Sequence, residues 1–154
     1  MTYLFRIKAI VFFIHLSVMV DAQREQPSPV TWSYQVISAN ISEVVLHIDA
    51  QIAPGWHIYS LHLQPGGPIP TRFTFDPHKG YSLVGVMNEE GDAVRYYDKL
   101  YEMDITWYAN KVGYTQRLII NKPNVSIKGI VEYMVCNEHI CIPVEEEFNV
   151  ELER

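Results

Sequence analysis

The sequence predicts an all-β chain, on three observations. Hydrophobic residues recur at every second position rather than every third or fourth. Clusters of Pro, Gly, Asn and Asp punctuate the chain at short intervals. No window carries the apolar stripe of an amphipathic helix. Many short strands spaced this way read as two packed sheets, and an immunoglobulin-like β-sandwich is the expected architecture. Antibody domains place two cysteines far apart in sequence, which this chain does not, so the likeness is one of architecture.

Taken in order, the elements begin after a targeting segment. Arg6 and Lys8 precede a twelve-residue apolar run, Ala9 to Val20, and Val20-Asp21-Ala22 offers small residues where a signal peptidase reads. The run is shorter than the roughly 20 residues a membrane span needs. Residues 1–22 are therefore read as a signal peptide cleaved near Ala22. No cysteine sits at the cut, so no lipid anchor is expected. Residues 23–29 (QREQPSP) are polar and proline-containing and read as a flexible lead-in, and residues 30–154 as one domain.

Within that domain Val44, Leu46, Ile48, Ala50 and Ile52 alternate with Val45, His47, Asp49 and Gln51. That is a strand with one buried face. Ala53-Pro54-Gly55 breaks it. Trp56 to Leu63 is the next expected strand, closed by Pro65-Gly66-Gly67-Pro68. Arg72 to Phe75 follows, ended by Asp76 to Gly80. Tyr81 to Met87 precedes a polar stretch, Asn88 to Asp92. Leu100 to Ala109, Tyr114 to Ile120, Ser126 to Val135 and Ile142 to Val150 complete the series, with turns expected at 110–113 and 121–124. Trp56, Tyr59, Phe73 and Phe75 are expected in the core. His57 and His62 stand five positions apart, on opposite faces of a strand, and read as unrelated surface or half-buried residues.

Of 154 residues, 12 are Lys or Arg and 18 Asp or Glu, a formal charge of −6 that cleavage would make one unit more negative. Such a balance argues against nucleic acid or an anionic membrane surface as partner. The domain is long enough to build a core without disulfides.

Both cysteines, Cys136 and Cys141, lie in VEYMVCNEHICIPVEEEF. If the flanking strands pair, Asn137 to Ile140 form a four-residue hairpin loop. The cysteines then face each other with Cα atoms about 4.5 Å apart, near enough to bond. In an oxidising compartment a disulfide is the default state. The ring would be short and already held by the hairpin, so its entropic contribution to stability should be low. Short exposed disulfides are the ones that tend to exchange. A passive turn staple remains open, and so does a metal site using Cys136, His139 and Cys141. The metal reading lacks a named fourth ligand for zinc and a methionine after His139 for copper.

The segment CNEHICIP after Tyr133-Met134-Val135 resembles the N-terminal periplasmic domain of the thiol:disulfide interchange protein DsbD. So do GWHIYSLHLQPGGPIPTRFTF (55–75) and YYDKLYEMDITWYANKV (96–112). Many members place five residues between the cysteines; here there are four. The resemblance implies an immunoglobulin-like fold, a periplasmic location and a redox-active pair at Cys136 and Cys141 that needs no cofactor and no metal. It implies that Cys141 forms the mixed disulfide with partners and Cys136 resolves it. A cap loop would match Glu90-Gly91-Asp92-Ala93-Val94-Arg95-Tyr96-Tyr97, with Tyr96 or Tyr97 over the sulfurs. Implied partners are periplasmic thioredoxin-like or disulfide-isomerase-type proteins, including those of cytochrome c maturation, fed by a separate membrane electron donor. Glu138 and His139 are the expected modulators of thiol pKa. The glutamates near the pair, Glu138 and Glu145 to Glu147, would slow thiolate formation until a partner docks. Glu145 to Glu147 also read as edge charges that deter strand-to-strand association.

Overall fold

The computed structural model describes residues 28–38 and 40–152. The signal segment and most of the lead-in fall outside them. Eight antiparallel strands follow in chain order: β1 (Val30–Ser38), β2 (Glu43–Ile52), β3 (His57–Tyr59), β4 (Arg72–Phe75), β5 (Tyr81–Asp98), β6 (Met103–Ile120), β7 (Val125–Cys136) and β8 (Cys141–Leu152). No helix occurs among the described residues, and the chain is all-β as the period-two pattern predicts.

Two long strands organise the rest. One edge of β6 pairs with β5, and the other is shared by β2 and β3. One edge of β7 pairs with β8, and the other is shared by β3 and β4. The layers β1-β2-β6-β5 and β8-β7-β4 therefore meet through β3 alone among the described strands. One continuous sheet curls through this three-residue bridge into two facing layers.

The alternation in β2 places Val44, Leu46, Ile48, Ala50 and Ile52 inward, none more than 6% exposed. From the facing layer β7 sends in Val125, Ile127, Val131, Tyr133 and Val135. Side chains of this size each contribute about 1.5–3 kcal/mol on burial. Trp32 and Phe73 pack edge to face at 5.6 Å, and Trp32 and Tyr133 at 5.3 Å. Gly129 allows close layering: a Cβ there would stand 2.2 Å from the Thr74 carbonyl oxygen and 2.7 Å from the Phe148 ring.

Four strand expectations change. β1 is a strand the reading above does not contain, although VTWSYQVIS alternates Trp32, Tyr34 and Val36 toward the core. The strand expected over 56–63 keeps ladder pairing only at His57–Tyr59, because β3 fills the gap between β6 and β7 and the chain then leaves. The polar stretch Asn88 to Asp92 continues β5 rather than ending it. The turn expected at 110–113 is a bulge inside β6. Asn110 adopts φ 61°, and the β5 register shifts between Gly91 and Ala93. Asn and Gly supply the left-handed backbone for a bulge as readily as for a reversal. A second bulge between Val84 and Asn88 is filled by the buried Gln116, whose Nε2 donates to the Val84 carbonyl at 3.1 Å.

Candidate functional site

β7 and β8 form a ribbon whose last rung is Cys136 opposite Cys141. The intervening turn is built by Asn137. Its N–H donates to the Ile140 carbonyl at 2.9 Å, and its Oδ1 accepts from the N–H groups of His139 (2.8 Å) and Ile140 (2.9 Å). This asparagine-templated loop brings the two Cα atoms to 4.1 Å, and the sulfurs are bonded. Glu138 and His139 are exposed within the turn.

The two cysteines occupy different environments. Cys136 is 1% exposed, whereas Cys141 is on the surface. The cause lies in β7. Its odd-numbered positions up to Val135 face the main core, so Cys136 faces the other way. There it joins a second hydrophobic cluster, with Tyr59 and Ile105 buried and Leu63, Met103, Trp107 and Met134 packed around them.

β3 supplies the polar side of this cluster. His57 pairs with Cys136 across the ladder. Ile58 enters the main core, and Tyr59 turns to the sulfur. The Tyr59 hydroxyl donates to Cys136 Sγ at 3.5 Å, a normal reach for sulfur, and lies 3.3 Å from His57 Nε2. The His57 ring rests on Trp107 with centroids 4.6 Å apart. Thr71 fixes the backbone here, its Oγ1 donating to the Tyr59 carbonyl at 2.6 Å. Burial pushes the Tyr59 phenol up to about 12, with Tyr96, Tyr101 and Asp98 adding to the rise. Desolvation lowers the His57 pKa. Both groups are thus held in their neutral forms at neutral pH.

The segment Glu90 to Tyr97 is the outgoing arm of the β5–β6 hairpin rather than an irregular loop. It pairs with β6 on both sides of the bulge between Gly91 and Ala93. Glu89, just before it, ties the arm to the end of β3 by accepting from the Ser60 hydroxyl and, at 2.8 Å, from the Leu61 N–H. Val94, Tyr96, Tyr97, Leu100 and Tyr101 are exposed near the hairpin tip. Tyr96 reaches the electrostatic surroundings of Tyr59, and Asp98 Oδ2 accepts its hydroxyl at 3.2 Å.

The sequence reads His57 as a surface or half-buried residue, which it is, and Tyr59 as core, without placing either beside Cys136. The alternation of WHIYS places both opposite Ile58, but no sequence signal says that this face meets the sulfur of Cys136. Among the described residues no group of three or more His, Cys, Asp or Glu side chains is placed to hold a metal.

An immunoglobulin-like domain that carries one disulfide at the mouth of a β-ribbon, with one cysteine covered and its partner at the surface, is the class these features define. The chain belongs to the family described as thiol:disulfide interchange protein DsbD, N-terminal, whose profile matches residues 16–152. That family is known for thiol–disulfide exchange with partner proteins.

Solved structures agree on the fold. The N-terminal periplasmic domain of ScsB from Proteus mirabilis superposes with a TM-score of 0.59 at 15% identity, over 80% of this chain and 46% of that one. This chain thus corresponds to about half the length of that relative. The reduced N-terminal domain of Neisseria meningitidis DsbD gives 0.51 at 17% identity, over 80% and 86%. The complex of the DsbD and PilB N-terminal domains from the same organism gives 0.51 at 17%, over 84% and 89%. No curated protein matches the chain.

Proposed function

We propose that this domain exchanges its Cys136–Cys141 disulfide with partner thiol proteins in the periplasm. The unequal exposure of the two cysteines carries the reading. A foreign thiolate can reach Cys141 Sγ at the surface, whereas Cys136 is covered. In-line attack on Cys141 forms a mixed disulfide and expels Cys136 as a thiolate. A second partner thiolate then attacks the sulfur of the first, releasing reduced Cys141. The partner dithiol becomes a disulfide, two electrons pass to the domain, and two protons end on its cysteines. Run in reverse, with Cys141 attacking the partner and Cys136 resolving, the same steps reduce the partner.

The family and the DsbD–PilB complex support a thioredoxin-like or disulfide-isomerase-type protein as partner; a separate membrane electron donor belongs to the same proposal. Export by residues 1–22 belongs to the same reading. The arm Glu90 to Tyr97 would cap the disulfide on its Cys136 side, and its exposed tyrosines would meet the docking protein. No cofactor is needed for the exchange.

Mixed-disulfide trapping tests this. Cys136→Ser leaves a surface thiol and is expected to trap partner proteins. Cys141→Ser leaves a covered thiol and is expected to trap none. Equal trapping by both variants, or by neither, refutes the assignment. A redox titration separates exchange from a passive staple. A potential of about −230 to −180 mV fits exchange, and one below about −300 mV fits the staple.

A further inference from the structure

We infer that Tyr59 donates a catalytic hydrogen bond to Cys136 as that sulfur leaves, and that His57 positions the Tyr59 hydroxyl for it. The inference rests on the exchange reading and names residues that carry its chemistry.

A phenol has one hydrogen. With that hydrogen directed at Cys136 Sγ (3.5 Å), the Tyr59 oxygen is left to accept from His57 Nε2–H (3.3 Å). The chain His57 → Tyr59 → Cys136 therefore runs one way, each donor polarising the next. A disulfide sulfur is a poor acceptor, and a thiolate a strong one. The bond thus strengthens as negative charge grows on Cys136, so it favours the transition state over the resting disulfide. Its value is raised by the dry surroundings of Tyr59, Ile105 and Cys136.

The supporting geometry is fixed rather than incidental. Tyr59 cannot drift, because its carbonyl is held by both the N–H (3.3 Å) and the Oγ1 (2.6 Å) of Thr71. The His57 ring is braced on Trp107. The phenol stays protonated, since burial and its acidic neighbours lift it to about 12.

The step balances simply. The partner thiolate forms a sulfur–sulfur bond to Cys141. The Cys141–Cys136 bond breaks with its electron pair on Cys136. Tyr59 keeps its proton, and the thiolate later takes one from water.

The first measurement is the rate at which glutathione reduces the oxidised domain. Tyr59→Phe, which removes only the hydroxyl, is expected to slow it about tenfold, as for loss of a hydrogen bond to a charged sulfur. The second is the thiol pKa of Cys136 in a Cys141→Ser background, followed by thiolate absorbance. Adding Tyr59→Phe there should raise it by about one unit. His57→Phe keeps a ring on Trp107 and should slow glutathione by about threefold, with His57→Gln, which restores an Nε2–H donor, recovering the loss. A merely structural role would shift the urea midpoint without moving the thiol pKa.

Unchanged rate and unchanged thiol pKa in Tyr59→Phe overturn the inference. If glutathione leaves the native disulfide intact, the exchange reading fails instead. The Cys136 titration still decides whether Tyr59 stabilises its thiolate.

Discussion

Two hydrophobic clusters meet at β3, and they are built for different ends. Among the described residues the main core joins 18 buried side chains from both layers, all of them aliphatic or aromatic. The cluster around the disulfide has three buried members, Tyr59, Ile105 and Cys136, ringed by half-buried methionines, a tryptophan and a leucine. The first is large enough to hold the fold. The second is too small for that, yet it covers one sulfur, leaves the other at the surface and sets a phenol against the covered one. Stability and chemistry thus occupy opposite faces of the same three-residue strand, Ile58 serving one and His57 and Tyr59 the other.

The sharpest way to break this division is to strike the core alone. Leu46→Ala should cost about 3 kcal/mol in urea-induced unfolding, because its cavity lies among residues that cannot collapse. The rate of glutathione attack on the folded fraction should stay within twofold of native. A large loss of rate in that fraction would mean that the two clusters are one unit.

Reducing the disulfide strikes the other side. The ring spans only residues 136–141, so the oxidised form should be more stable than the reduced form by about 2 kcal/mol or less. Matched unfolding curves with and without reductant measure this. A larger gap would show the small cluster carrying the fold.

Gly67→Ala tests the roof of the site. An added methyl would lie 2.8 Å from Met103 Sδ, a flexible neighbour that can yield. A loss of about 1 kcal/mol is expected, with faster amide exchange near Tyr59 and little change near Ile48. Uniform change across the domain would erase the distinction.

Alkaline and acid titration give the smallest effects. Folding raises the phenols of Tyr34, Tyr59, Tyr108 and Tyr133 to about 12. Their contribution is complete below their unfolded value near 10 and is lost as pH climbs through 12. His57 is lowered instead, so its contribution is present above the unfolded value near 6.5 and fades as pH falls. Stability should therefore be flat from about pH 7 to 10 and decline on both sides. His57→Phe should weaken the acid-side decline, which urea midpoints at pH 5 and 7 would show.

The β5–β6 pair teaches where sequence reading stops short. Asn88 to Asp92 and the 110–113 segment carry turn chemistry, and both became bulged strand. Each is paired along a neighbouring edge, and that pairing overrode the local preference. β1 is legible in its alternation of Trp32, Tyr34 and Val36. Residues 90–97, which the resemblance implies to be a loop, take hairpin form because they pair with β6.

By itself the sequence determined the β class, the inward set of β2, and a hairpin that brings Cys136 and Cys141 together. Period-two alternation and a four-residue loop are local properties, complete within a dozen residues. Only the tertiary structure decided which sulfur is covered and what touches it. Alternation sets Tyr59 opposite Ile58 and Cys136 opposite Val135, but it does not say that Tyr59 and Cys136 meet. That follows from β3 bridging β6 and β7, a contact across 77 positions of chain that no local pattern encodes.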